Sequence, residues 1–153
     1  MLEVAIVAAP ADRAAVRGLG PWLARTAPRT LRGAVTIALV TDARMRALNT
    51  QFRQVQASTD VLSFPSLGGL DLGDIAIARG VATRQAKVAG HTLAAEVRVL
   101  ALHGLLHLAG YDHETDGGGM ARVEARLRRK GGLGGGLIER AKAPASPARR
   151  RQS

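Results

Sequence analysis

Short apolar runs rich in β-branched residues recur along the first half of the chain. Each is flanked by Gly or Pro, which is typical of β-strands bounded by turns. The predicted strands are Leu2–Val7, Ala34–Val40, Asp60–Phe64 and Leu72–Ala78. Gly68-Gly69 lies between the last two strands and predicts a turn, so these strands are expected to pair as a hairpin.

Between and after these runs, apolar residues recur every three or four positions, which predicts helices. The predicted helices cover Ala11 to about Ala27, the segment from the Thr41-Asp42 cap to about Arg53, Val81–Val88, the segment from Thr92 to Gly110, and about Gly119–Arg129. The order β-α-β-α-β-β-α-α-α predicts an α+β fold. We expect a single domain in which helices pack on a mixed sheet of about four strands.

The charge is distributed unevenly along the 153 residues, although the net charge of +10 suggests a basic protein. Residues 1–121 hold 12 Lys and Arg against 10 Asp and Glu, whereas residues 122–153 hold 10 against 2. The end of the chain is also rich in Gly and Pro and poor in large apolar side chains, which disfavours a packed core. We therefore predict a folded domain over 1–130 and a disordered basic tail over 131–153.

The composition excludes several classes of protein. With no cysteine, the chain has no disulfide scaffold and no Cys-ligated zinc or iron–sulfur site. Aromatic residues make up 3% of the chain, which argues against a platform that stacks several RNA bases. There is no signal segment and no apolar run of membrane-spanning length, so we expect a cytoplasmic protein without a membrane partner.

Three of the four histidines fall within eleven residues, at His103, His107 and His113. Residues i and i+4 share one helix face, so the first two imidazoles can bind one ion. Gly110 allows the chain to reverse, because glycine adopts positive φ without steric cost, and His113 can then return as a third ligand. Three nitrogen ligands with an open fourth position are typical of catalytic zinc, which lowers the pKa of its bound water to about 7.

The same spacing occurs in H-E-x-x-H-x-x-G-x-x-H metallopeptidases, where the second position holds the general base. Here that position is Gly104, which can transfer no proton, so proteolysis is disfavoured. Asp112 and Glu114 are alternative bases, although a supporting hydrogen bond to a ligand or a solvated turn position is the simpler interpretation of each.

The segment His103–His113, with the form HGxLHLxGYDH, resembles the signature of the YbeY family of metal-dependent endoribonucleases. Further segments are similar to family motifs in the same order, over roughly Leu48 to Leu127. They are Leu48-Asn49 followed by Phe52-Arg53, Thr59–Pro65, Leu72–Ile75, and Met120 with Glu124.

This resemblance implies a zincin-like metal-binding helix and one zinc ion per chain, held by His103, His107 and His113. It also implies cleavage of single-stranded RNA and maturation of the 3′ end of small-subunit (16S) ribosomal RNA. The implied partners are the small ribosomal subunit or its assembly factors, and no DNA substrate is expected. The catalytic residues expected on this basis are Arg53 and His107. From the residues alone, the simpler interpretation of Arg53 is an exposed side chain that caps the carbonyl groups at a helix end.

Other polar residues receive simpler interpretations. Asp60 and Asp74 are expected to bond within turns, and Ser63 lacks a neighbouring base. Glu96, two turns before His103 on the same helix face, could orient a ligand, but a solvated position is its simpler interpretation, and His91 is expected to be exposed. Besides the RNase, two functions remain open: a metallopeptidase on the same histidines, and a non-catalytic ribosome-assembly factor with structural zinc.

Overall fold

The computed structural model describes residues 1–53, 59–111 and 118–133. The strands are β1 (Leu2–Val7), β2 (Gly33–Val40), β3 (Val61–Pro65) and β4 (Asp71–Ala78). The helices are α1 (Arg13–Val16), α2 (Leu19–Thr26), α3 (Asp42–Arg53), α4 (Arg79–Ala89), α5 (Leu93–Leu108) and α6 (Gly119–Lys130). A short 3-10 turn, Pro10–Asp12, precedes α1.

The four strands form one mixed sheet in the order β1-β2-β4-β3. β1 and β4 both run parallel to β2, and β3 pairs antiparallel with β4. The predicted α+β class, the mixed four-stranded sheet and the hairpin are therefore confirmed. Pro65, expected to follow the third strand, is its last residue and lies at the sheet edge, where a missing N–H is tolerated.

The two faces of the sheet are covered to different extents. One face carries the alternating buried side chains of β2 and β4, among them Ile37, Ile75 and Ile77, and packs into the main core with α5. On the other face, Met45 of α3 packs in a smaller cluster against Leu62 of β3 and two alanines of β4. The larger core thus lies on the side that also carries the paired histidines.

Helix α5 runs through the centre of the molecule. Its mean hydropathy is high, and from Glu96 to Leu106 every side chain except that of Arg98 is buried. A helix with apolar residues on all sides is typical of a position inside the core. The Thr92 hydroxyl caps its first turn by accepting a hydrogen bond from the Ala95 amide at 3.1 Å, as the sequence predicts.

The single helix predicted over Ala11–Ala27 is wrong, because the chain breaks there into the 3-10 turn, α1 and α2. Gly18 adopts the left-handed conformation, with φ of 72°, and is the N-cap residue of α2. Pro21 then lies in the first turn of α2, where its missing N–H removes no helical hydrogen bond. The glycine and proline that weaken the helical pattern therefore mark a break.

Asp42 joins α3 to α4. Its carboxylate accepts hydrogen bonds from the Gly80 and Val81 amides at 2.8 and 3.1 Å and pairs with Arg84 at 3.0 Å. Burial raises the pKa of this carboxyl group, but the hydrogen bonds and the charge of Arg84 outweigh burial and lower the pKa from 3.8. A β-carbon at Gly80 would collide with the carboxylate, so a larger residue there would displace the Asp42 side chain.

The end of α6 docks on α2. The indole N–H of Trp22 donates a hydrogen bond of 2.9 Å to the carbonyl of Gly131, and Leu133 packs against the main core. The predicted boundary between 130 and 131 stays a prediction, since residues 134–153 lie outside the described part of the chain. Within that described part, no helix is long and apolar enough to cross a bilayer.

Candidate metal and RNA site

Two of the three predicted metal ligands meet on the last two turns of α5. The Nε2 atoms of His103 and His107 are 3.2 Å apart, and the rings meet edge to face with their centroids 4.8 Å apart. His103 is buried, with 8% of its surface exposed, whereas His107 is half-buried. The i, i+4 spacing therefore brings the two imidazoles together as predicted, with one of them open to solvent.

This geometry fits a shared ion. Two nitrogens that each bind a tetrahedral zinc ion at about 2.0–2.1 Å lie about 3.4 Å from one another, close to the observed separation. Among the described residues, no group of three His, Asp or Glu side chains converges as a metal-binding cluster. The third predicted ligand, His113, lies outside those residues, so the structure describes two ligands of the predicted three.

The first histidine is held from behind by a carboxylate. Glu124 of α6 is fully buried, and its Oε2 lies 2.9 Å from Nδ1 of His103. With Glu124 ionised, its carboxylate accepts from Nδ1–H, which leaves the Nε2 lone pair of His103 directed at His107. Carboxylate support of this kind is usual behind metal-binding histidines, because it fixes the tautomer and the ring orientation.

A Schellman motif ends α5 directly after the paired histidines. The Tyr111 amide donates to the Leu106 carbonyl and the Gly110 amide to the His107 carbonyl, both at 3.0 Å. Gly110 has φ of 101°, which confirms the predicted left-handed terminus. The chain thus reverses immediately before residues 112–117, which lie outside the described part of the chain and contain His113, Asp112 and Glu114.

The glycine between the paired histidines has a packing role. A β-carbon at Gly104 would lie 2.9 Å from Cγ2 of Ile75 and 3.1 Å from Oγ of Ser63, so α5 approaches the sheet too closely for a side chain there. The Ser63 hydroxyl also donates a hydrogen bond of 3.0 Å to the Gly104 carbonyl. The helix that carries the histidines is thereby fixed against β3 and β4.

The remaining predictions have mixed outcomes. Arg53 is the last residue of α3, and its side chain lies outside the described part, so its predicted catalytic role is untested. The expectation that Glu96 is solvated is wrong: it is fully buried, and its carboxylate lies 2.6 Å from the half-buried His91. Asp60 bonds to the Gln85 amide at 3.3 Å, and Asp74 is exposed.

Sequence reasoning missed the support that Glu124 gives to the histidine pair. The residue falls within the family resemblance, but nothing in its spacing from His103 indicates contact, because the two lie 21 positions apart on different helices. A glutamate on the apolar face of the predicted last helix, among Met120 and Leu127, was the available signal. Buried carboxylates require a partner, and a histidine is a suitable one.

The fold and the two facing imidazoles define an α+β domain with a candidate metal-binding helix at its centre. The family model described as Endoribonuclease YbeY matches residues 22–129, which is most of the folded part. The chain belongs to the YbeY family of endoribonucleases. The resemblance drawn from the histidine segment is therefore confirmed.

Two relatives show how much of the chain is shared. The Endoribonuclease YbeY of Solibacter usitatus is 55% identical over 109 residues, covering 71% of this chain and 74% of its own. That of Koribacter versatilis is 45% identical over 122 residues, covering 80% of both chains. The solution structure of a Thermotoga maritima protein, 23% identical, superposes with a TM-score of 0.62 over 99% of this chain and 97% of its own, which supports the fold.

Proposed function

We propose that this protein is a zinc-dependent endoribonuclease specific for single-stranded RNA, with one zinc ion held by His103, His107 and His113. The observation that carries the proposal is the 3.2 Å separation of two imidazole nitrogens whose geometry suits a shared ion, in a chain of the YbeY family. We further propose that its substrate is ribosomal RNA and that it matures the 3′ end of the small-subunit RNA. In this role it would act in the cytoplasm with the small ribosomal subunit or its assembly factors.

Zinc bound at this site would supply a Lewis acid and lower the pKa of a coordinated water to about 7. The chain's own residues have separate tasks around it. Glu124 holds His103 in the tautomer whose Nε2 lone pair points at the site, and the half-buried His107 lies on the side open to substrate. The Schellman motif turns the chain at Gly110, and His113, the third proposed ligand, follows three residues later in the sequence.

Arg53 is proposed to bind the substrate phosphate. A guanidinium can hold two phosphate oxygens by parallel hydrogen bonds and stabilise the negative charge that develops in the transition state. Its position at the end of α3, before the segment that leads into β3, is compatible with this task. The nucleophile is either water or the 2′-OH of the RNA itself.

The packing around Gly104 disfavours the alternative metallopeptidase. Gly104 occupies the position of the general base in such enzymes, and a glutamate there would have to displace the side chains of Ile75 and Ser63. A peptidase on this platform would therefore need a base from elsewhere in the chain. Nothing in the described residues favours the second alternative, an assembly factor with structural zinc, over the RNase.

The proposal is tested by measuring zinc content and RNA cleavage in parallel for the wild-type protein, His113→Ala and His91→Ala. His91→Ala is the control, because it removes a histidine that pairs with Glu96 and is not one of the three proposed zinc ligands. We expect one zinc per wild-type chain, cleavage of single-stranded but not duplex RNA, loss of both properties in His113→Ala, and retention of both in His91→Ala. Full zinc content and undiminished cleavage in His113→Ala would overturn the three-histidine site.

Two additional measurements separate the alternatives. Cleavage of an unfolded peptide pool by zinc-loaded protein that leaves single-stranded RNA intact would favour the peptidase. A folded His107→Ala variant that still supports ribosomal RNA maturation in cells would favour the assembly factor. The end groups of the cleaved RNA identify the nucleophile, because attack by the 2′-OH leaves a 2′,3′-cyclic phosphate.

A further inference from the structure

We propose that the outer face of α6 binds the sugar–phosphate backbone of the RNA that flanks the cleavage site. This face, here called the basic stripe, consists of Arg122, Arg126, Arg129 and Lys130, all of them exposed. The inference rests on the proposed function, because it assigns a second contact to the same RNA substrate.

The basic stripe follows from the helical spacing of α6. Positions 122, 126, 129 and 130 recur at intervals of four, three and one, so they fall on one face and span about 12 Å at 1.5 Å per residue. The opposite face contains the buried side chains of Met120, Glu124, Leu127 and others. Five of the ten basic residues after Ala121 therefore lie on a folded helix, and four of them are exposed.

The sign of the charge on this face is uniform. Glu124 is the single acidic residue of α6, and it is fully buried against His103, so the outer face of the helix itself carries no carboxylate. Like charges at i, i+4 destabilise a helix, as between Arg126 and Lys130.

Helix α4 provides a contrast within the same molecule. Its exposed Arg84 pairs with Asp42, and Arg79 pairs with the buried Asp12. Among the described residues, no ion pair joins Arg126, Arg129 or Lys130 to a carboxylate. A helix whose outer cations repel one another is stabilised by a polyanion, and phosphates spaced along a strand provide that charge.

The position of the basic stripe determines which part of the RNA it contacts. Glu124 faces inward to His103, whereas the stripe faces outward, so the two lie about one helix diameter, about 10 Å, apart. The stripe therefore faces away from the paired histidines and from the phosphate being cleaved. It is placed to bind flanking nucleotides, which increases affinity for long RNA without changing the chemical step.

RNA suits this surface better than a membrane does. Peripheral helices bind bilayers by inserting a large apolar face below a basic one. The apolar face of α6 is instead packed in the core, with Met120 and Leu127 buried. The outer face has charge without apolar side chains to insert, which matches a sugar–phosphate backbone.

The test uses the full chain with Arg126→Gln, Arg129→Gln and Lys130→Gln combined. The matched control combines Arg13→Gln, Arg25→Gln and Arg29→Gln, which removes the same charge from exposed positions of α1, α2 and the following loop. Binding to a minimal single-stranded RNA and to one extended on both sides is measured against salt in the His113→Ala background. KM and kcat are measured for the same changes in the wild-type background.

We expect the α6 triple variant to bind the extended RNA several-fold more weakly and to raise its KM, with kcat unchanged. Its log–log salt slope should be shallower by about 2, because each single-strand phosphate contact contributes about 0.7. Equal salt slopes for the α6 and control variants would overturn the proposal. So would an α6 variant that loses binding to anionic phospholipid vesicles, measured in parallel, while its RNA binding is unchanged. Because binding is measured in the His113→Ala background, this result is independent of whether the protein cleaves RNA.

Discussion

The carboxylate of Glu124 fixes the imidazole of His103 from the side opposite to His107, through a contact of 2.9 Å between Oε2 and Nδ1. The position of the histidine pair thus depends on the docking of α6 against α5, although both histidines belong to α5. The affinity of the proposed site for zinc is therefore expected to respond to a residue outside the proposed ligand set.

Replacing Glu124 by Gln should weaken zinc binding about 10- to 100-fold, the usual cost of losing a supporting carboxylate. The measurement is a zinc titration in competition with a chromophoric chelator. Glu96→Gln is the matched control, because it alters another fully buried glutamate that pairs with a histidine, His91. Equal zinc affinity in Glu124→Gln and the wild type would show that Glu124 does not support the site.

Replacing Gly104 by Ala should lower the free energy of unfolding by about 1–3 kcal/mol, the cost of overpacking a core. Alanine is the better helix former by about 1 kcal/mol, so propensity alone predicts the opposite sign. The added β-carbon has to displace Cγ2 of Ile75. Urea unfolding measures the change, and a stabilised variant would refute the proposed close approach.

Replacing Asp42 by Asn should reduce stability at neutral pH but not in acid. The variant retains a side-chain oxygen for the Gly80 and Val81 amides and loses the charge that pairs with Arg84. Since folding lowers the pKa of Asp42 below 3.8, its charge stabilises the fold above that pH, and the benefit disappears as the pH falls through the folded value.

The measurement is urea unfolding of both proteins at a series of pH values. The difference in the free energy of unfolding should be constant near neutral pH and should shrink below about pH 3.8. A difference that grows in acid would contradict the direction of the shift.

Replacing Arg53 by Lys should lower kcat and change zinc content little. Lysine retains the charge but cannot form two parallel hydrogen bonds to a phosphate. The comparison is single-turnover RNA cleavage by Arg53→Lys, by Arg53→Gln and by the wild type, with zinc content as the control. Unchanged cleavage in Arg53→Gln would remove this residue from the proposed machinery.

Deleting Ala143–Ser153 should weaken RNA binding at low salt and leave cleavage in place. This segment contains three consecutive arginines, whose attraction to phosphate is nonspecific and screened by salt. Binding isotherms at two salt concentrations, together with a cleavage assay, measure both effects. Loss of cleavage would show that the segment belongs to the catalytic part of the protein.

Local patterns in the sequence were sufficient for most of the fold. β-Branched runs bounded by Gly or Pro located the four strands, and Thr92 and Gly110 marked the ends of α5, because caps and left-handed glycines depend on neighbouring residues. The break at Gly18 was missed because helical spacing continues through it. The burial of Glu96 was missed because its partner, His91, precedes the helix and is brought back by the chain turn.

For the site, the sequence was sufficient for contacts within one helix and insufficient for contacts between helices. The facing of His103 and His107 follows from the i, i+4 spacing. The contact of Glu124 with His103 depends on how α6 docks, which no local pattern encodes. The same holds for Gly104, whose role is set by the distance between α5 and the sheet.

The chain contains one tryptophan, Trp22, and its indole is bound to the carbonyl that ends α6. Its intrinsic fluorescence therefore reports on the helix that holds Glu124, with no label required. A spectral change that occurs at a lower denaturant concentration than the loss of helical circular dichroism would mean that α6 detaches before the rest of the domain unfolds. The same optical signal, followed during zinc titration, would show whether metal binding and helix docking are thermodynamically coupled.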